Sequence, residues 1–279
     1  MFSRPATVPA VPVKVTAALC TILLLSCSVK EDRTECPCFL TLDLGAVETA
    51  ALARQGLDSL VVGVVSGTDF YEEMGFALRD NVQEYNLAVP KSQVDVIVAC
   101  GIGRNGLSSV GFSIPEGNEC PAVYLFSDSF LADAGEMRRT VTLHRNYCML
   151  SVSMKTSYNA HARPYLIHLE GNVSGCLMDG TPAEGVFSCF SSPSSGGLCH
   201  LNIPRQKDGS LMLDVHFQDT GEIRSFPVGE YILESGYDWS APDLEDVQVE
   251  MDFSLSGLTF SISGWKKTLS FEITFEDSW

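Results

Sequence analysis

From residue 247 onward the chain alternates between apolar and polar side chains with a period of two. Val247, Val249, Met251 and Phe253 interleave with Gln248, Glu250 and Asp252. After Ser256 and Gly257, Leu258, Phe260 and Ile262 stand against Thr259, Ser261 and Ser263. Past Gly264-Trp265-Lys266-Lys267, Leu269, Phe271, Ile273 and Phe275 alternate with Ser270, Glu272, Thr274 and Glu276. Successive strand side chains point to opposite faces, so the pattern predicts a three-strand meander with one apolar face. A one-residue slip would turn every apolar side chain to water. A helix, with its 3.6-residue period, would scatter the same residues around its axis.

The same signature recurs upstream. Strands are expected at 39–44, 59–65, 82–89, 94–100, 123–126, 140–145, 148–155, 165–170, 211–217, 222–226 and 231–234, with a short helix or a loop at 46–55. Gly101-Ile102-Gly103-Arg104-Asn105-Gly106 follows a strand but carries no GK[ST] and precedes no helical pattern, so it reads as a turn rather than a phosphate loop. Strand 148–155 is expected to close a first domain. The polar stretch 156–164 ends in Pro164 and makes a plausible junction. Short strands at roughly ten-residue spacing with no long amphipathic helix predict an all-β chain of two tandem β-sandwich domains, 39–157 and 158–279. No internal sequence repeat is visible.

The first 26 residues read as a secretory leader. Arg4 and Lys14 precede an apolar run, 15–25, broken only by Thr16, Cys20 and Thr21. That run is shorter than the roughly 20 residues a membrane span needs. Leu24-Leu25-Ser26-Cys27 resembles a bacterial lipobox, with Cys27 as the acylated new N-terminus and palmitate among its acyl chains. The alternative is an ordinary secretory signal with an incidental cysteine. Residues 27–38 then form a tether. Lys30, Glu31 and Asp32 resemble the lysine-plus-acids signal that sends lipoproteins of Bacteroides-type bacteria to the outer face of the outer membrane.

Charge excludes some partners. The 279-residue chain has a net charge of −17; the leader holds two of the 18 basic residues and no acid, so residues 27–279 carry 16 basic against 35 acidic residues, a net −19. Such a surface repels phosphate backbones and excludes nucleic acid. It also assigns membrane attachment to the lipid. Beyond Cys20 and Cys27 eight cysteines remain. An even number in an exported chain suggests disulfides, yet Cys100 and Cys148 sit in apolar runs as small buried hydrophobes do, and the pairing stays open. Cys36-Pro37-Cys38 lacks a second close pair or a histidine cluster to complete a zinc site, so neither a metal nor a cofactor is expected. His216, between Val215 and Phe217, reads as a strand-face residue. No GxSxG or HExxH occurs, and no catalytic residues are expected.

Three blocks together resemble a known family. They are Cys27-Ser28-Val29-Lys30-Glu31-Asp32 through Cys36-Pro37-Cys38-Phe39-Leu40-Thr41-Leu42-Asp43-Leu44; Val141-Thr142-Leu143-His144-Arg145-Asn146; and Tyr237-Asp238-Trp239 running to Asp243-Leu244-Glu245-Asp246-Val247, then Gly264-Trp265. Their order resembles the FimB-type fimbrial anchor lipoproteins of Bacteroides-type bacteria. The resemblance implies two transthyretin-like β-sandwiches and a non-enzymatic role in cell adhesion. It implies a lipid in the outer membrane at one end and fimbrial shaft subunits bound at the other. The alternating residues Leu269, Phe271, Ile273 and Phe275 form the candidate partner strand, either docked in their own sheet or donated to a subunit. Two further readings stand beside it: a glycan-binding surface lipoprotein, which would expose a platform from Trp239, Trp265 and Trp279, and a secreted hydrolase with a carboxylate pair in a cleft.

Overall fold

The computed structural model describes residues 36–68, 70–103, 105–155, 165–194, 197–252, 258–263 and 268–273; for Phe70, Lys155 and everything from Asp252 on it describes the backbone alone. Residues from Pro37 on form one compact unit. Its eighteen described strands, numbered β1 to β18 in chain order, lie in four sheets.

Sheet I is β4 (Glu84–Val89), β1 (Cys38–Asp43) and β8 (Glu136–Thr140), in that order. Sheet II runs β3 (Phe70–Ala77), β2 (Ser59–Ser66), β5 (Gln93–Cys100), β7 (Tyr124–Leu131) and β9 (His144–Arg145). Sheet III runs β12 (Pro182–Ser191), β11 (Tyr165–Leu177), β14 (Met212–Phe217) and β15 (Ile223–Phe226), with β6 (Gly111–Ser113) joined to the far end of β11. Sheet IV runs β13 (Leu198–Pro204), β10 (Tyr147–Lys155), β16 (Val247–Asp252), β17 (Leu258–Ser263) and β18 (Thr268–Ile273).

One topology occurs twice. The order β4-β1-β8 in sheet I matches β13-β10-β16 in sheet IV, and β3-β2-β5-β7 matches β12-β11-β14-β15. The sense of each pairing matches too: β1–β8 and β10–β16 are parallel, and the rest are antiparallel. The repeat is invisible in the sequence, because a strand asks only for alternation and an apolar face, which many residues satisfy. The hairpin β17–β18 has no counterpart in the first repeat, where sheet I stops at β8. The expected meander over 247–275 is present as β16, β17 and β18, in register Val249↔Ile262 and Phe260↔Phe271.

The strand expected to close a first domain instead opens the second repeat: β10 pairs with β13 and β16, both from the C-terminal half. The first copy of the topology therefore ends before β10. Residues 231–234, expected as a strand, belong to a helix, Val228–Glu234. Val228 and Ile232, four apart, bury one face of it, and Pro227 precedes them with its φ already fixed near a helical value.

Two cores follow from the layering. Leu40, Leu42, Leu87 and Val89 of sheet I pack with Leu60, Val62, Val64, Val96 and Val98 of sheet II. Ile167, Leu169, Leu213 and Val215 of sheet III pack with Leu150, Val152, Leu201, Val247 and Val249 of sheet IV. This second core extends to the other face of sheet II, through Val61, Ile97, Ala99 and Leu125. Sheet II is thus apolar on both faces, as the unbroken run 59–65 suggests.

Where β6 reaches across to β11, two glycines allow the backbones to meet. A Cβ on Gly175 would lie 2.1 Å from the Phe112 carbonyl oxygen, and one on Gly111, at φ +137°, would lie 2.0 Å from that of Cys176. Gly175→Ala should therefore separate β6 from β11 and cost about 1–3 kcal/mol. Gly135→Ala, where a Cβ meets nothing within 4 Å, should be within about 0.5 kcal/mol of neutral. Urea denaturation of the two variants side by side tests this, and equal midpoints would show that the close crossing is not a constraint.

Candidate functional site

The anchoring residues expected from the sequence, Cys27, Lys30, Glu31 and Asp32, lie outside the described residues, as does Phe275. Leu269, Phe271 and Ile273 are placed by their backbone in β18, which closes sheet IV. β18 pairs antiparallel with β17 on one side, and no described strand pairs with the other. Such an edge offers a row of N–H and C=O groups to an incoming strand.

Two of the three sequence blocks meet at the joint between the repeats. Asp243 accepts from the Arg145 amide at 2.7 Å and stands 3.0 Å from His144 Nδ1. Asp246 accepts from the Met149 amide at 3.1 Å and from the Arg145 guanidinium, which also lies over the Tyr147 ring at 4.2 Å. Arg205, just past β13, donates to Asn146 Oδ1 at 2.6 Å and to the carbonyls of Trp239, Ala241 and Pro242, the last two at 2.8 and 3.1 Å. The loop between the helix and β16 is thereby tied to both repeats. Burial alone would raise the Asp243 carboxyl, but the Arg145 amide, His144 and Arg205 outweigh it and hold the group below its ordinary 3.8.

Seven of the eight described cysteines are buried, Cys36 is exposed, and all eight are free thiols. Burial pushes Cys100 up to about 11, and Cys148, Cys176 and Cys189 up to about 12. They stay protonated and act as small hydrophobes.

A third constellation was not foreseen. The register of β11 and β14 sets His168 opposite Asp214 and Leu166 opposite His216. Ile167, Leu169, Leu213 and Val215 point into the core, so these three polar residues share the outer face of sheet III. His168 Nδ1 is 3.3 Å from Asp214 Oδ2, and its Nε2 is 2.9 Å from Ser188 Oγ. Phe190 stacks on the His168 ring at 4.3 Å and 16°, and stands edge-on to His216 at 6.0 Å. Asp214-x-His216 is the one local signal in the sequence; His168 lies 46 residues from Asp214, and only strand register brings it alongside.

Next to these residues is an open groove of about 510 Å³, lined by Glu170, Asn172, Glu184, Val186, Lys207 and Met212 among others. Lys207 bonds Glu184 at 2.6 Å and holds its carboxyl below the ordinary value, which makes Glu184 a poor proton donor for a hydrolase. Trp239 is buried beside Tyr237, with ring centres 4.6 Å apart, so it offers no sugar platform; Trp265 and Trp279 lie outside the described residues. No described helix is long and apolar enough to cross a membrane.

No family model matches the chain, and no curated protein matches its sequence. Solved structures do match its fold. The fimbrial anchor protein Mfa2 from Porphyromonas gingivalis superposes with a TM-score of 0.58 at 13% identity, over 86% of this chain and 100% of that one. A candidate polysaccharide-binding protein from Bacteroides thetaiotaomicron gives 0.56 at 11%, over 86% and 99%. A candidate adhesin from the same species gives 0.53 at 14%, over 86% and 99%. The chain shares their β-sandwich fold along nearly their whole length.

The joint yields a pH prediction. A carboxyl whose pKa is depressed by folding contributes stability above its unfolded pKa and loses it as pH falls through the folded value. Asp243→Asn should therefore be less stable than the parent near pH 7, and the gap should close towards about pH 3. Urea midpoints across that range measure it; a gap independent of pH would show that the Asp243 charge contributes nothing.

Proposed function

We propose that this chain is a non-enzymatic surface lipoprotein that holds a fimbria to the outer membrane. Cys27 carries the acyl chains, Lys30, Glu31 and Asp32 direct the protein to the cell surface, and the two repeats serve as tandem β-sandwiches between the lipid and the partner. Fimbrial shaft subunits add a strand to the side of β18 that no described strand covers, where the alternating residues Leu269, Phe271 and Ile273, and Phe275 after them in the sequence, set the register. The observation that carries this reading is the hairpin β17–β18, which extends sheet IV beyond the repeated topology and ends in an edge that no described strand covers. Main-chain hydrogen bonds at such an edge supply affinity while alternate side chains supply specificity. The shared fold with a fimbrial anchor protein and a candidate adhesin supports the same reading.

Removing residues 258–279 should leave the rest folded, because β16 would then end its sheet as β8 ends sheet I. The truncated protein should remain in the membrane fraction while fimbriae are shed into the medium. Cys27→Ala should do the reverse, binding fimbrial subunits but releasing them from the cell together with itself. Fractionation, thermal melts and fimbrial counts in the medium distinguish these outcomes. Fimbriae retained by the truncated protein would place the interface elsewhere, and collapse of its fold would show that the hairpin is not an appendage.

A further inference from the structure

We propose that His168, Asp214 and His216 form a binding site for a divalent transition-metal ion on the outer face of sheet III. One ligand atom from each residue lies within 4.8 Å of the other two. Bonds of about 2.0–2.1 Å in tetrahedral geometry would set such atoms about 3.3 Å apart. His168 Nδ1 and Asp214 Oδ2 already stand 3.3 Å apart, so closure needs only a side-chain adjustment of His216.

The surroundings are built as a metal site requires. The His168 and Asp214 side chains are 14% and 21% exposed. His216 Nε2 is buried with no hydrogen-bond partner, and an unpaired buried nitrogen is costly; an ion would satisfy it. With His168 bound through Nδ1, its Nε2–H donates to Ser188 Oγ, which fixes the tautomer and ring orientation as outer partners of metal-bound histidines do. Phe190, stacked on that ring and edge-on to His216, holds both imidazoles and shields them from solvent.

The donor set selects the ion. Two imidazoles and one carboxylate suit zinc, cobalt, nickel or copper. Calcium and magnesium prefer all-oxygen shells. Three protein ligands leave a fourth position open to water or to a donor group from a docked partner. Because β11 and β14 each contribute, the ion would also crosslink two strands of the sheet.

The full chain, purified in detergent and freed of metal with EDTA, is titrated with zinc sulfate by calorimetry and with cobalt chloride by visible absorption. The expected result is one zinc per chain, a thermal midpoint raised by saturating zinc, and a cobalt spectrum of tetrahedral nitrogen and oxygen donors without thiolate charge transfer. Asp214→Asn and His216→Gln should each weaken zinc binding at least tenfold and abolish the thermal shift, with zinc-free circular dichroism confirming their fold. Ser188→Ala should weaken it less. The cobalt spectrum of the unmodified chain keeps the test open even where a variant fails to fold. Absence of stoichiometric binding, thiolate bands placing the metal on cysteines, or unchanged affinity in folded Asp214→Asn and His216→Gln would each overturn the proposal.

Discussion

Strand β2 carries Leu60, Val62 and Val64 into one core and Val61 into the other, and its Gly63 lies beneath Met178 of the second repeat. A Cβ there would stand 2.9 Å from Leu107 Cδ1, 3.1 Å from Ile97 Cγ2 and 3.5 Å from Met178 Cε. Sheet II is thus shared. Its inner face closes the first sandwich with sheet I, and its outer face is covered by Leu107, Phe112, Ile114 and Cys120 from the segment between β5 and β7 and by residues of the second repeat. Each buried aliphatic side chain is worth about 1.5–3 kcal/mol. The two repeats are therefore coupled by burial rather than joined only by a linker.

Polar contacts then settle the joint that burial leaves imprecise. Apolar packing is non-directional. The charge-assisted hydrogen bonds of Arg205, Asp243 and Asp246 have defined directions, and they tie the loop after the C-terminal helix to the β9–β10 turn. The β17–β18 hairpin sits outside the repeated topology.

How much was legible in advance depended on how cleanly one face of each strand is polar. β1, β2, β5, β10, β14 and β16 are half-buried or wholly apolar, and their residues announce it; the rest of the meander was legible from its period-two alternation alone. β12 was not foreseen because Val186 and Phe190, 57% and 53% exposed, make its outer face apolar as well and blur the period. β3 was missed because Tyr71 and Met74, both partly exposed, stand three residues apart and so on opposite faces, which leaves no clean polar face. β13 does alternate, Cys199, Leu201 and Ile203 inward against His200 and Asn202, and the serine-rich loop before it concealed where the strand begins. The helix over Val228–Glu234 has too few turns for its period to outweigh the β-prone residues Tyr231 and Ile232.

By itself the sequence determined the all-β class, the closing meander, the acidic surface and the signal-like start, because each rests on local periodicity or on summed charge. Tertiary structure alone decided that one seven-strand topology is used twice, that β10 opens its second copy, and that sheet II is shared. It alone brought His144 and Arg145 to Asp243 and Asp246, and His168 to Asp214 and His216. Those partners lie 46 or more residues apart, and strand pairing across such distances depends on register and sheet order. Local side-chain patterns say which face of a strand is buried but not which strand will lie beside it.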